Sequence, residues 1–344
     1  MATKAFLYDR SAGEAAIVGF THQGAVAHDR RLSGWRSSWS QVVAGRFLGR
    51  GRASVLLYDP HAGEAGLFGF DDQGHPTVDT VLPGWRGSWT EIVVAEFVGN
   101  ARTQALLYDR DAGELGLVGF DDQGVVELDT LRRGGRTSWT LIGAGSLLGN
   151  GRAQALLWDP CAGEATLLGF DARGQVELDT TLAGWQTRWT RLAIAEFLAG
   201  TREQLFVYDG AAGQGGLIQL DAQGRVELDT SDQPIRPRLD VLVASAFMKT
   251  RAQLLVYDRA AGQGGLLDFD ASGRIKLDTS NQALRKTWTT VLAGEFTGGG
   301  RVEALFFDAK LGETAIVGFA ADGRIDLEAT SPCWRTTWDL ILPV

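Results

Sequence analysis

The chain has 344 residues, with 42 Asp and Glu against 33 Lys and Arg, a net charge of −9. That acidity argues against non-specific binding to nucleic acid or to anionic membranes. A hydrophobic content of 44% excludes a disordered chain, and no apolar run approaches the ~18 residues of a membrane span.

The first residues, Met1 to Phe6, run straight into a strand-like segment without a secretory apolar core. This predicts synthesis in the cytosol, with any release by a non-classical route. A pattern then begins that governs the whole chain. An aromatic residue followed by Asp recurs at Tyr8-Asp9, Tyr58-Asp59, Tyr108-Asp109, Trp158-Asp159, Tyr208-Asp209, Tyr257-Asp258 and Phe307-Asp308. A glycine follows each pair, from Gly13 to Gly312, and Trp39, Trp89, Trp139, Trp189, Leu239, Trp288 and Trp338 form a third series. The period is 50 residues, with one step of 49.

One unit shows the elements. Trp89 to Phe97 is an apolar strand, and Gly99 to Arg102 is a turn. Gln104 to Tyr108 is a second strand, and Asp109 to Gly113 a tight hairpin whose glycine needs a positive φ. Glu114 to Phe120 and Val125 to Asp129 are the third and fourth strands, separated by the turn Asp121 to Gly124. Every segment is short, apolar or β-branched, and bounded by Gly, Asp or Asn. Four antiparallel strands repeated seven times predict an all-β, seven-bladed β-propeller occupying residues 1–344 as one domain. The chain starts on a second strand and ends on a first strand, at Trp338 to Val344. The C-terminal strand is therefore expected to join the N-terminal blade and close the ring, which removes a free edge.

The units resemble bacterial β-propeller repeats with an aromatic-Asp ending and a turn such as Gly84-Trp85-Arg86-Gly87-Ser88-Trp89-Thr90. Through Phe97-Val98-Gly99 they are more loosely similar to the FG-GAP repeats of integrin-like propellers and to fungal propeller lectins. The FG-GAP resemblance implies a calcium loop after the Phe-x-Gly. The loops here read Gly49-Arg50-Gly51-Arg52, Gly99-Asn100-Ala101-Arg102 and Gly149-Asn150-Gly151-Arg152, so the hard carboxylate ligands are missing and such a site is expected to be lost.

The repeated Asp reads as a turn-former that accepts main-chain amides. The second Trp of each connector reads as core between blades, since Leu239 replaces it once. The first Trp varies more: Trp35, Trp85, Gly135, Trp185, Ile235, Leu284 and Trp334. An exchange of Trp for Gly fits a surface or partly exposed position better than a packed one. Arginine follows at Arg36, Arg86, Arg136 and Arg335. Trp beside Arg suits a sugar, the indole face meeting C–H groups and the guanidinium bonding hydroxyls. The bland alternative is an Arg–Trp stack that rigidifies a turn. Glu14, Glu64, Glu114, Glu164 and Glu313 would be further polar partners of such a site, or solvated strand starts.

This sequence carries no nucleophile elbow, no His-Glu-x-x-His and no phosphate loop. His22, His28, His61 and His75 lack metal spacing, and Cys161 and Cys333 make no disulfide framework, so neither a cofactor nor a metal is expected. Glu96, Glu196 and Glu295 stand before a phenylalanine on first strands, the innermost of a blade, where a solvated rim competes with acid–base work. The sector 205–290 departs from the pattern: Gln214-Gly215-Gly216 and Gln263-Gly264-Gly265 replace the Glu start, and one residue is deleted near Met248 to Arg251.

The expectation from these features is a non-catalytic, multivalent, lectin-like propeller that binds glycans or a small molecule through Trp35, Arg36, Trp85, Arg86, Arg136, Trp185, Trp334 and Arg335. Neither nucleic acid nor membrane insertion is expected, and blades five and six are a candidate homo-oligomer contact. One alternative is an enzyme of cyclase or lyase type acting on a small apolar metabolite in a central pocket, with Arg236 and Asp240 as residues to test. The other is a protein-interaction scaffold.

Overall fold

The computed structural model describes residues 2–49, 52–332 and 334–344. Cys333 and the Arg50-Gly51 portion of the first turn lie outside these residues. The fold is a seven-bladed β-propeller: seven antiparallel sheets, each of four strands in simple up-and-down order, with no helix among the described residues. Blade 1 combines Leu340–Pro343 with Ala5–Asp9, Glu14–Phe20 and Val26–Ser33. Ala5 pairs with Pro343 and Tyr8 with Leu340, so the C-terminal strand does complete the N-terminal blade.

Blades 2 to 4 begin at Gln41–Gly45, Glu91–Ala95 and Leu141–Gly145. Blades 5 to 7 begin at Arg191–Ala195, Val241–Ser245 and Thr290–Gly294. Two compact units carry these sheets, one holding blades 1, 5, 6 and 7, the other blades 2, 3 and 4.

Within a unit the core lies between consecutive sheets. Phe47, Leu56, Tyr58 and Leu67 of blade 2 pack on Trp89, Ile92, Leu107 and Phe120 of blade 3. The same arrangement recurs between blades 3 and 4, 5 and 6, 6 and 7, and 7 and 1. Each of these junctions holds an edge-to-face phenylalanine pair: Phe47–Phe120, Phe97–Phe170, Phe197–Phe269, Phe247–Phe319 and Phe296–Phe20, at 5.5 to 5.9 Å. The second Trp series is buried throughout, from 2% exposed at Trp39 to 8% at Trp89, with Leu239 at 3%, and Trp89, Trp139, Leu239, Trp288 and Trp338 lie in these cores.

The hairpin glycines take φ between 61° and 66° in all seven blades, as their turns require. A side chain at Gly63 would meet the carbonyl of Trp85 at 2.8 Å. Each blade also carries a bulge where its third strand meets its fourth, at Gly19/Phe20 in blade 1 and at the matching place in the others. A bulge sharpens local twist.

Candidate functional site

The predicted ligand residues all fall on the connectors that lead from the fourth strand of one blade to the first strand of the next. The connector before blade 3 shows how the sequence holds them. The amide of Trp85 donates to the carbonyl of Gly63 at 2.9 Å. The Tyr58 hydroxyl donates to the carbonyl of Arg86 at 2.5 Å and accepts from the amide of Trp89 at 3.2 Å. The Arg86 guanidinium lies 4.9 Å from the centre of the Trp89 ring, pairs with Glu114, and reaches Asp109 at 2.9 Å. The Ser88 hydroxyl donates to the same Asp109. Asp109 is 1% exposed and also accepts from the amide of Ala112, closing its own hairpin.

This arrangement recurs with the motif. Arg36 pairs with Glu64, Arg136 with Glu164, Arg285 with Glu313 and Arg335 with Glu14. The same five arginines stack on Trp39, Trp89, Trp139, Trp288 and Trp338 at 4.9 to 5.5 Å. The glutamates after the loop glycine are therefore the ion-pair partners of these arginines. None of the four first-series indoles is an exposed ring: Trp185 is 8% exposed, and Trp35, Trp85 and Trp334 are half-buried. Trp35 packs on Phe6 at 5.6 Å, Trp85 on Tyr58 at 6.1 Å, and Trp334 stacks on Phe20 at 6.2 Å with 14° between planes.

The aspartates of the aromatic-Asp pairs cap their hairpins throughout. Asp59 accepts from His61 and Ala62, Asp159 from Cys161 and Ala162, and Asp308 from Lys310 and Leu311. Burial pushes the carboxyls of Asp9, Asp59, Asp109 and Asp159 up. Hydroxyl and amide donors, with the nearby Arg335, Arg36, Arg86 and Arg136, more than offset this and hold all four below 3.8.

The sector 205–290 is rebuilt for a different junction. The fourth strand of blade 5 breaks into Val226–Asp229 and Gln233–Pro234. At the break, Thr230 Oγ1 donates to the carbonyl of Gly273, and Gln233 Nε2 donates to the same carbonyl at 3.0 Å. Gln233 Oε1 then accepts from the amide of Ile275 at 2.7 Å. Blade 6 repeats the clasp on blade 7, with Thr279 and Gln282 on Gly323 and Ile325. The Gln-Gly-Gly starts follow from it, because a Cβ on Gly216 or Gly265 would overlap the carbonyl of Thr230 or Thr279. Arg236 loses its glutamate to Gln263; its nearest carboxylate is Asp258 at 4.0 Å. Asp240 accepts from the amide of Arg259 at 2.7 Å and so caps a strand end.

The residues before the phenylalanines join blades through main chain. Glu96 accepts from the amide of Ala153, Glu196 from that of Ala252 and Glu295 from that of Thr3. The Glu96 and Glu295 carboxylates also accept loop amides, from Ala101 and Gly300. The Glu196 carboxylate is exposed and meets no described donor. No group of three or more His, Cys, Asp or Glu among the described residues is placed to hold a metal ion. In the turns after the first strands, Arg102, Arg152 and Arg202 reach instead to the carbonyls of Phe120, Phe170 and Leu220 and to Glu127, Glu177 and Glu227.

Scanned against protein-family models the chain gives no match, and no curated protein matches it in sequence. Solved structures do match in fold. A protein from Lactobacillus plantarum aligns over 100% of both chains with a TM-score of 0.66 and 11% identity. The periplasmic gluconolactonase of Pseudomonas aeruginosa covers 100% of this chain and 99% of its own, with a TM-score of 0.65 and 14% identity. A proposed 6-phosphogluconolactonase from Bacteroides uniformis covers 81% and 80%, with a TM-score of 0.54 and 15% identity. These likenesses establish the seven-bladed fold. The lectin-like expectation is corrected. Of these similar propellers, one is a gluconolactonase and one a proposed 6-phosphogluconolactonase, and none is named as a lectin. The Trp–Arg motif behind that expectation is engaged within the chain, its partly exposed arginines in ion pairs and the indoles of Trp35, Trp85 and Trp334 against aromatic rings.

Proposed function

We propose that the protein is an enzyme that opens a small lactone by hydrolysis. The end-to-end likeness to the Pseudomonas aeruginosa gluconolactonase carries this reading. It keeps the enzyme alternative raised by the sequence, with hydrolysis of a polar lactone replacing cyclisation or elimination on an apolar metabolite. Lactone opening needs a base to take a proton from water as the oxygen adds to the ester carbonyl; the ring oxygen then leaves and is protonated. We assign that base to Glu196, whose exposed carboxylate is engaged by no described group, in contrast to Glu96 and Glu295. Base consumption in a pH-stat, with δ-gluconolactone and with 6-phosphogluconolactone, tests the reading. Acid release above the spontaneous rate is expected with one of them, with kcat about 100-fold lower in Glu196→Gln. Release at the spontaneous rate with both substrates would remove the lactonase reading, and an unchanged kcat in the variant would remove Glu196 from it.

A further inference from the structure

One row of side chains across blade 1 differs from its counterparts in every other blade. In blade 3 the row is Gln104, Gly119 and Leu128, and a Cβ on Gly119 would lie 3.2 Å from both neighbours. Gln104 is 1% exposed and fully bonded: its carbonyl oxygen accepts from Phe97 and Val98, and its amide donates to Asn100 and Arg102. In blade 7 the first place is Glu303, 0% exposed, which accepts from Thr297 and pairs with Arg301 at 3.5 Å. The row is thus neutral in blade 3, and anionic with its own cation in blade 7.

In blade 1 the corresponding residues are Lys4, Gly19 and His28. The pairings Ala5 with Val18 and Gly19 with His28 place all three side by side. Lys4 is 7% exposed, yet it has no hydrogen-bond or ion-pair partner among the described residues. His28 presents a buried Nε2 with no partner either. Its ring leans over Gly19, where a Cβ would stand 2.5 Å from Nε2 and 2.7 Å from Nδ1. Arg30, two residues along the same strand and so on the same face, is exposed and pairs with no carboxylate among the described residues. The charges that act on His28 are those of Lys4 and Arg30, both positive; burial first, and these two charges after it, hold the imidazole below 6.5. A largely buried lysine with no counter-charge, beside a buried ring nitrogen that has no partner, is costly unless an anion completes the set.

We infer that Lys4, His28 and Arg30 form a binding site for a small oxyanion, a carboxylate or a phosphate. The ammonium and guanidinium supply charge-assisted donors, and the imidazole supplies a third when protonated. The inference does not depend on lactone hydrolysis.

The four histidines make the test direct by NMR of their ring carbons. Titration of His28 is followed in chloride, in inorganic phosphate and in acetate at equal ionic strength. Phosphate or acetate is expected to raise the His28 midpoint by about half a pH unit, since a bound anion favours imidazolium. Whichever anion acts identifies the headgroup chemistry. Lys4→Gln, which installs the residue of blades 3 to 6, is expected to abolish the shift. As a second reading, the anion should raise Tm of the wild type but not of His28→Leu, which carries the residue of blades 3 to 7. A His28 midpoint indifferent to both anions would overturn the inference, as would an equal response in Lys4→Gln.

Discussion

Blades 3 and 6 have the same four-stranded topology but are locked in place by different chemistry. The connector into blade 3 ties down with charge: Arg86 over Trp89, paired with Glu114 and Asp109. Blade 6 is held to blade 5 by neutral groups, the amide of Gln233 and the hydroxyl of Thr230 gripping Gly273 and Ile275. The ionic lock sits at a partly exposed position, with the Arg86 side chain 39% exposed, so water and salt weaken it. The amide clasp is buried, Gln233 being 6% exposed, so each bond lost there leaves a polar group dry. Two solutions to one packing problem therefore differ in what disturbs them.

The sharpest way to break this contrast is steric. Gly216→Ala drives a methyl into the Thr230 carbonyl and is expected to cost about 3 kcal/mol or more, whereas blade 4 holds Thr166 at the same register position without clash. Urea midpoints of the two positions, mutated to Ala, would separate them. Next comes Gln233→Leu. It strands the Ile275 amide and leaves the Gly273 carbonyl with the Thr230 hydroxyl alone, with an expected loss of about 1–3 kcal/mol that barely changes between low and high salt. Glu114→Gln converts blade 3 toward the blade 6 sequence and is expected to cost only about 0.5–1 kcal/mol, shrinking in molar salt. The reverse exchange, Gln263→Glu, returns a carboxylate to Arg236 and should raise stability by up to about 1 kcal/mol at low salt.

Acid adds a further test. Asp9, Asp59, Asp109 and Asp159 lie below 3.8 in the folded state. Each contributes stability above 3.8 that is lost as pH falls through its folded value, because the unfolded chain then binds the proton more readily. Unfolding midpoints measured between pH 5 and pH 2 should fall steeply in the wild type and less steeply in Asp109→Asn.

The repeat was legible because it rests on backbone needs. Positive-φ glycines, hairpin aspartates and buried aromatics must recur wherever the same turn recurs. The connectors were legible only in part at their first tryptophan: Trp35, Trp85 and Trp334 are partly exposed, as expected, while Trp185 is buried. The exchange of Trp85 for Gly135 suggested a surface or partly exposed position, and what stays constant there is the amide. Gly135 donates to Gly113 as Trp85 donates to Gly63 and Ile235 to Gly213. An amide bond places no demand on the side chain, so variation there said little about exposure. A usable signal was present in the spacing. Arg36–Glu64, Arg86–Glu114, Arg136–Glu164 and Arg285–Glu313 all stand 28 residues apart, and where Gln186 replaces the arginine, Gln214 replaces the glutamate. The clasp left a fainter trace in the double glycines, whose meaning depends on a carbonyl brought close only by folding.

The pairing of Ala5–Asp9 with Leu340–Pro343 also imposes an order of events during synthesis. A ribosome delivers three strands of blade 1 before blades 2 to 7 and the fourth after them. While the intervening blades are being made, Ala5–Asp9 waits with one flank unpaired. Blades 2 and 3 receive their strands consecutively and can form as they emerge. Closure of blade 1 thus waits for the other six blades, and a nascent chain stalled before Leu340 would carry one open seam.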